Sequence, residues 1–307
     1  MLKIQSLVNS TYKSSDTEEF LDKIFYRPIG YLMAVASKYL GLTPNVITII
    51  SIFVGVAAGH FFYYTDLSLN IYGMLLLIIA EALDSADGQL ARITDSKSKI
   101  GRILDGFGGN LWFISIYIHL CFRYIDGGGT YWIFLLAIVA GISHSAQSAM
   151  ADYFRNFYVY FAIGKTQSEI DESSLLQKDY KKLAWSKNLF SKFLMRVYIN
   201  YTIEQELLAG KLKTLYAISK DKFGENLPAW LKQEYKILNK SLIKYFNILT
   251  TNTRMIFLFI VLIIGMPVLY WVFEITILNI LLIYVIFKQN HNSKYLISAM
   301  IENQEDK

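Results

Sequence analysis

Three carboxylates lie at the ends of two successive apolar segments of this chain. Asp84 and Asp87 are three residues apart and therefore share one face of a helix, while Asp105 lies on the next segment. An ionisable side chain inside an apolar span costs about 3 kcal/mol, so each acid needs a partner or a function. Arg92 and Arg102, the arginines nearby, are too few to pair with all of them. The pattern indicates a divalent cation, because Mg2+ and Mn2+ prefer carboxylate oxygens.

Two residues beside the acids could accommodate a phosphate. Gly88 has no side chain, so another backbone or a phosphate can approach closely there. Arg92 follows Asp84 by a little over two helical turns, and its planar guanidinium suits a pair of phosphate oxygens. An ion-pair cluster that only joins two helices is the alternative, although packed small residues join membrane helices at lower cost.

The same stretch resembles the signature of the CDP-alcohol phosphotransferase family, D-x2-D-G-x2-A-R-x8-G-x3-D-x3-D. Seven of its eight fixed positions match, namely Asp84, Asp87, Gly88, Ala91, Arg92, Gly101 and Asp105. The resemblance implies that the three aspartates bind Mg2+ or Mn2+, that Gly88 and Ala91 leave room for a cytidine, and that Gly101 lets two helices approach. It also implies an enzyme that transfers a phospho group from a CDP-linked donor to an alcohol and releases CMP.

The eighth position departs from the signature, because Gly109 stands where the family has its last aspartate. In that family this aspartate is taken to be the base that activates the acceptor alcohol. A shift of helical register near Gly108 could bring Asn110 to the site. Alternatively, Asp152 or His144 could supply the base. The third hypothesis is a family member that binds the donor without turning it over.

A second group of polar residues recurs on the fourth apolar segment at steps of three and four. These residues share one helical face and should point into the bundle or a wet cavity; they are His144, Gln147, Ser148, Asp152 and Arg155. Our hypothesis is that Asp152 takes part in catalysis and that Arg155 binds the acceptor or its phosphate. The alternative is that Asp152 and Arg155 simply pair with each other at the membrane interface.

The composition predicts an all-α integral membrane protein, because 54% of the residues are hydrophobic and the mean hydropathy is +0.33. Residues 1–45 form a lead-in with an amphipathic surface helix over 27–41. Residues 46–154 contain four transmembrane helices, 251–290 contain two more, and 291–307 form a tail. The six predicted spans are 46–65, 69–90, 102–122, 130–151, 253–273 and 275–288.

Basic residues predict the orientation. Residues 151–254 hold seventeen Lys and Arg against ten Asp and Glu, and a single basic residue, Arg123, falls in a loop on the opposite side. By the positive-inside rule, both termini and the aspartate motif face the cytosol, and we expect a bacterial inner membrane. Residues 155–250 read as a helical cytosolic insertion that rests on anionic headgroups of the membrane lipids. No pattern for nucleic-acid binding is present beyond simple basicity.

These observations predict a phospholipid-synthesising transferase. It would move a phosphatidyl group from CDP-diacylglycerol to a polar alcohol, such as inositol phosphate or glycerol phosphate, and release CMP. The alternatives are a CDP-choline or CDP-ethanolamine phosphotransferase acting on diacylglycerol, and a catalytically inactive protein that binds a CDP-linked lipid. A prenyl transferase would need a second acid-rich motif, and a transporter would place its acids at the membrane midplane. The family resemblance also implies a homodimer.

Overall fold

The computed structural model describes residues 14, 16–164, 170–224 and 226–305, and the described chain is helical with no strands. A π-helical turn, Asp22–Tyr26, leads into the first long helix. In chain order, the α-helices of the described residues are α1 (Arg27–Tyr39), α2 (Pro44–Phe61), α3 (Leu67–Ile93), α4 (Lys99–Asp126), α5 (Ile133–Tyr158), α6 (Ser173–Lys182), α7 (Trp185–Leu208), α8 (Lys211–Phe223), α9 (Ala229–Asn239), α10 (Ile243–Ile248), α11 (Thr251–Ile263), α12 (Val268–Phe273) and α13 (Asn279–Glu305).

Local sequence signals place the starts of the helices that carry the site. Pro44 occupies the first turn of α2, where its missing amide hydrogen costs nothing. Thr43 is extended as an N-cap residue, but its side chain makes no cap hydrogen bond. The side chains of Asp66 and Ser98 do cap, accepting from Leu69 N at 3.1 Å before α3 and from Gly101 N at 2.9 Å before α4.

Small residues let α2 and α4 pack closely. A Cβ added at Gly55 would lie 2.3 Å from the Trp112 ring, and one at Gly59 would lie 2.9 Å from the backbone nitrogen of Ile116. Both distances are too short for any larger residue. Trp112 and Ile116 are buried at 1% and 0% exposure, in the core that α2, α3 and α4 share with α5, α11 and α12.

Five helices of the described residues are long and apolar enough to cross a membrane. They are Pro44–Phe61, Leu67–Ile93, Ile133–Ile163, Ala229–Ile263 and Val268–Glu302. The predicted span over 102–122 falls within α4, which is not among these five. α4 nevertheless packs against α2 and α5 along its length.

The last two apolar helices begin and end at residues that differ from the bounds of the predicted spans. The expected span over 253–273 is interrupted, because α11 ends at Ile263 and the chain turns at Gly265, whose φ is 72°. Pro267, which cannot continue α11, precedes the continuous helical stretch Val268–Glu302, and this stretch forms the C-terminal hairpin together with α11. The predicted tail is not separate either, because α13 runs unbroken to Glu305.

The polar stretch after α5 is helical, as expected, and it packs on the membrane helices. Aromatic residues at the end of α5 form its core: Phe154 stacks on Phe246 at 4.5 Å, and Phe161 stacks on Tyr235 at 4.6 Å. Farther along the chain, α7 lies across α4 and α5 and buries Leu194 against the first turns of α4. The insertion is thus built onto the bundle.

Candidate active site

The three predicted acids come together where α3 ends and α4 begins. One carboxylate oxygen from each of Asp84, Asp87 and Asp105 can be chosen so that all three lie within 4.8 Å of one another. Asp87 is 4% exposed and the other two are half-buried. Like charges this close repel each other unless a cation lies between them. Three hard oxygen donors on two rigid helices fit Mg2+ or Mn2+.

Thr48 of α2 orients one of the acids, and sequence reasoning did not select it. Its hydroxyl lies 2.5 Å from Asp87 Oδ2 and 3.0 Å from the carbonyl oxygen of Pro44. Such a neighbour fixes the direction in which a metal-binding carboxylate points. The signal in the sequence was weak, since a threonine inside an apolar helix commonly bonds only to the backbone of its own helix.

A cavity of about 320 Å³ opens beside the acids. Its walls come from the start of α2, the end of α3, the following loop and the start of α4: Pro44, Asn45, Thr48, Asp87, Gly88, Ala91, Arg92, Ser96, Lys97, Ser98, Lys99, Gly101, Arg102 and Asp105. Acidic and basic side chains therefore both line the cavity. This distribution of charge suits a diphosphate bound to a cation.

The small residues of the motif have different surroundings. A Cβ added at Gly88 would meet nothing within 4 Å, so the space beside this glycine belongs to the cavity. At Gly101 a Cβ would lie 2.9 Å from Asn45 Oδ1 and 2.9 Å from Ser98 Oγ. Gly101 thus permits α4 to approach the start of α2.

The structure shows no shift of helical register near Gly108, which was one of the three explanations considered for the missing aspartate. The hydrogen bonding of α4 stays α-helical through this region, and a Cβ added at Gly108 would lie 2.9 Å from Ile52 Cγ1. Asn110 is exposed, and its amide donates to the carbonyl oxygen of Gly106 at 2.9 Å, within its own helix. The structure does not bring Asn110 to the acids. A Cβ at Gly109 would meet nothing within 4 Å, so this position is empty space.

Asp152 and Arg155 do not pair with each other, contrary to the alternative considered above. The exposed Asp152 accepts from Asn156 Nδ2 at 3.3 Å and from Gln205 Nε2 at 3.3 Å. Arg155 Nη2 lies 2.7 Å from Glu19 Oε1, on the N-terminal segment. Neither residue lines the cavity beside Asp105.

The N-terminal segment carries a second acid beside Glu19. Asp22 accepts from Asn252 Nδ2 at 2.9 Å. Burial and the neighbouring Glu19 carboxylate together raise the pKa of Asp22 to about 6. Both acids are far from the aspartate motif in sequence, so periodicity gave no signal for them.

His144 and Gln147 belong to a buried polar network that joins α5 to the C-terminal hairpin. His144 Nδ1 lies 3.3 Å from Glu274 Oε1, and Arg254 donates to Gln147 Oε1 at 2.6 Å. Arg254 Nε also lies 3.3 Å from Glu274 Oε1, and both charged residues are fully buried. His144 is therefore engaged in packing the helices together. Sequence reasoning missed Arg254 and Glu274, which stand alone in apolar surroundings.

Comparison with known proteins points to one family. The family model for CDP-alcohol phosphatidyltransferase matches residues 41–158. A protein of Pyrococcus horikoshii named archaetidylinositol phosphate synthase is 41% identical over 66 residues, which cover 22% of this chain and 34% of that protein. An uncharacterised protein of Aquifex aeolicus is 35% identical over 117 residues, which cover 36% of this chain and 57% of that protein.

The chain thus spans between a third and just over half of the length of these relatives. No solved structure matches it. The matched residues contain α2 to α5, with the carboxylate cluster and the cavity. Residues 41–158, which make up less than half of the chain, are therefore similar to the CDP-alcohol phosphatidyltransferase family.

Proposed function

We propose that this chain transfers a phosphatidyl-type group from a CDP-linked lipid to a polar alcohol and releases CMP. The observation that carries the proposal is the cluster of Asp84, Asp87 and Asp105 beside a cavity with both acidic and basic walls. The relative from Pyrococcus horikoshii, whose name states an inositol phosphate product, favours a phosphorylated polyol as the acceptor. Inositol phosphate and glycerol phosphate are the acceptors of first choice.

Different residues would bind the cation, the phosphate oxygens and the nucleotide. Asp84, Asp87 and Asp105 would hold one or two divalent cations, whose chemistry is to neutralise the diphosphate and the departing CMP. Arg92 binds phosphate oxygens from the side, and Gly88 and Ala91 keep the space for the nucleotide.

Bond formation and cleavage take place at the phosphorus atom that carries the lipid. The acceptor hydroxyl oxygen attacks this phosphorus while its bond to the CMP oxygen breaks. The proton of the hydroxyl passes to Asp105, the cluster acid one helical turn from the empty space at Gly109. Asp152 of α5 lies outside the cavity, so its removal should slow the reaction much less than the removal of Asp105.

For the topology, we propose six crossings with the site facing the cytosol of a bacterial inner membrane. α4 would be the sixth crossing, since its 28 residues span roughly 42 Å. α1 would lie on the membrane surface, because Leu32 and Tyr39 are exposed while Gly30 and Ala34 pack inward. The basic insertion would rest on anionic lipid, and a homodimer is the expected assembly.

A non-catalytic protein that binds CDP-linked lipid is the second candidate. The observation that favours it is Gly109, which supplies no acid at the position of the family's proposed base. Such a protein would bind the donor with a cation and would release no CMP with any acceptor.

The experiment is CMP release by the purified chain in detergent with CDP-diacylglycerol, Mg2+ and a panel of acceptors. We expect release with a phosphorylated polyol, loss of release in Asp105→Ala, and a smaller decrease in Asp152→Ala. Asp126→Ala is the matched control, because Asp126 is an exposed acid at the opposite end of α4. Donor binding without CMP release from any acceptor would replace the transferase by the binding protein.

A further inference from the structure

The carboxylate of Glu19 lies in a pocket of hydrogen-bond donors. Oε1 accepts from Arg155 Nη2 at 2.7 Å and from Thr250 Oγ1 at 2.6 Å. Oε2 accepts from Asn252 Nδ2 at 2.8 Å. Glu19 itself is 9% exposed, so the carboxylate is almost completely enclosed by these groups. Three donors from α5, from the residue before α11 and from α11 therefore converge on the Glu19 carboxylate, and Asn252 Nδ2 also donates to the neighbouring Asp22 Oδ1 at 2.9 Å.

The donors are held in place independently of Glu19. Arg155 donates from Nε and Nη2 to Asn247 Oδ1 at 3.0 and 2.8 Å, which fixes the plane of its guanidinium. Thr250 immediately precedes α11, and Asn252 lies in the first turn of that helix. A guanidinium, a hydroxyl and an amide on fixed supports form a donor set that also suits the oxygens of a phosphate.

We propose that Arg155, Thr250 and Asn252 form an oxyanion site that Glu19 occupies from within the chain, and that a phosphomonoester displaces Glu19 from it. The proposal rests on the proposed function in one respect, since the phosphomonoester expected at this site is the phosphorylated acceptor of that reaction. An intramolecular carboxylate competes at a high effective concentration. The apparent affinity for an external anion is then reduced by the fraction of molecules in which the site is open.

The segment that carries Glu19 is attached mainly by polar contacts, which suits reversible release. Phe20 is 75% exposed and Ile24 is 57% exposed, so these large apolar side chains contribute little to its attachment. Glu18 makes two hydrogen bonds with Arg27, each of 3.1 Å, at the start of α1. This second contact keeps the base of the segment in place when Glu19 leaves.

The first test measures the binding of inorganic phosphate to the full chain in lipid-free detergent by calorimetry, at constant ionic strength. We expect Glu19→Gln to bind phosphate about tenfold more tightly than the wild type, because the competing charge is gone. Arg155→Gln combined with Glu19→Gln should lose that gain. Glu18→Gln is the matched control, because it removes a neighbouring charge that contacts Arg27 instead of the site.

Several outcomes would overturn the proposal. One is equal affinity in the wild type and Glu19→Gln, and another is the same gain in Glu18→Gln, which would assign the effect to overall charge. If neither the wild type nor Glu19→Gln binds phosphate, the contacts of Glu19 only hold the N-terminal segment in place. A parallel measurement with phosphatidic acid in place of inorganic phosphate tests whether the anion is a lipid headgroup or a soluble phosphate. Displacement of Glu19 by the lipid alone would exclude a soluble phosphomonoester.

The second test reads out the segment directly. Thr17, which is 8% exposed, is replaced by cysteine in a Cys121→Ser background and labelled with a maleimide. Phosphate should accelerate the labelling, and an unchanged rate at saturating phosphate would contradict displacement. Neither test needs the CDP-linked donor. Phosphate displacement without CMP release would therefore refute only the transferase, and CMP release without displacement would refute only this inference.

Discussion

At the scale of single residues, the absence of a side chain at Gly88 is as important as the three carboxylates. The nearby Asp87 is fixed by the hydroxyl of Thr48, while the space beside Gly88 stays open. Glycine in a helix interior costs up to about 1 kcal/mol relative to alanine. A glycine at position 88 keeps the cavity open, which explains its presence in the helix despite that cost.

The substitution Gly88→Ala separates stability from activity. No atom lies within 4 Å of the added methyl group, so the free energy of unfolding should rise by up to about 1 kcal/mol. The same methyl group fills the nucleotide space, so the KM for the CDP-linked donor should rise at least about tenfold, a change of 1.4 kcal/mol. Thermal unfolding in detergent and donor kinetics measure the two effects.

Gly106→Ala is the matched control, because Gly106 is also helical and uncrowded but is exposed and outside the cavity. A similar KM in both variants would contradict the assignment of Gly88.

Gly109→Asp restores the eighth position of the signature. The new side chain has free space at its Cβ and shares the helical face of Asp105, four residues earlier. General bases contribute about 100-fold or more to enzymatic rates, so CMP release should increase at least about tenfold. Steady-state kinetics of the variant and of Asn110→Asp, whose side chain points away from the acids, measure this. An unchanged or slower rate in Gly109→Asp would show that another group already activates the acceptor.

At the scale of elements, the start of α2, the end of α3 and the start of α4 form the site. The C-terminal hairpin packs on α5. The connection is a buried network that joins α11, the π-helical stretch after α12, and α5; its members are Arg254, Glu274, Gln147 and His144. Arg254 and Glu274 are each 0% exposed. A charge enclosed to this degree depends entirely on its partner.

Removing one member of this pair should be costly. Glu274→Gln leaves Arg254 without its counter-charge, and we expect the free energy of unfolding to fall by about 3–5 kcal/mol. The double substitution Arg254→Met and Glu274→Leu should recover most of that loss. Unfolding in detergent, followed by tryptophan fluorescence, gives both values. A double variant as unstable as Glu274→Gln would indicate that the residues act separately.

At the scale of the whole molecule, the sequence predicted what depends on local pattern. The spacing of Asp84, Asp87 and Asp105 predicted a shared corner, and the structure brings these acids together. Apolar runs predicted α2, α3 and α5 as membrane-compatible helices. The same reasoning misplaced the break before the final hairpin, because two apolar helices joined at Pro267 read as one run.

What could not be predicted depends on contacts between distant parts of the chain. Arg155 and Glu19 are 136 residues apart, so neither periodicity nor charge counting could pair them. Arg155 was selected as a residue for phosphate, and the structure instead places an internal carboxylate on it. The engagement of His144 with Glu274 likewise needed the hairpin to fold back onto α5. In each case a polar residue was recognised correctly as needing a partner, and the partner came from elsewhere in the fold.

The measurement that most directly tests the central claim is the metal dependence of CMP release, made in the wild type and in Asp84→Asn. Stripping divalent cations with a chelator should abolish release from CDP-diacylglycerol, and Mg2+ or Mn2+ should restore it. Asp84→Asn keeps the shape of the side chain but removes one charged oxygen donor. We expect it to need much more metal for half-maximal release and to remain slow when saturated. Release that continues in chelator, or identical metal dependence in Asp84→Asn, would contradict a transferase built on the three-aspartate cation site.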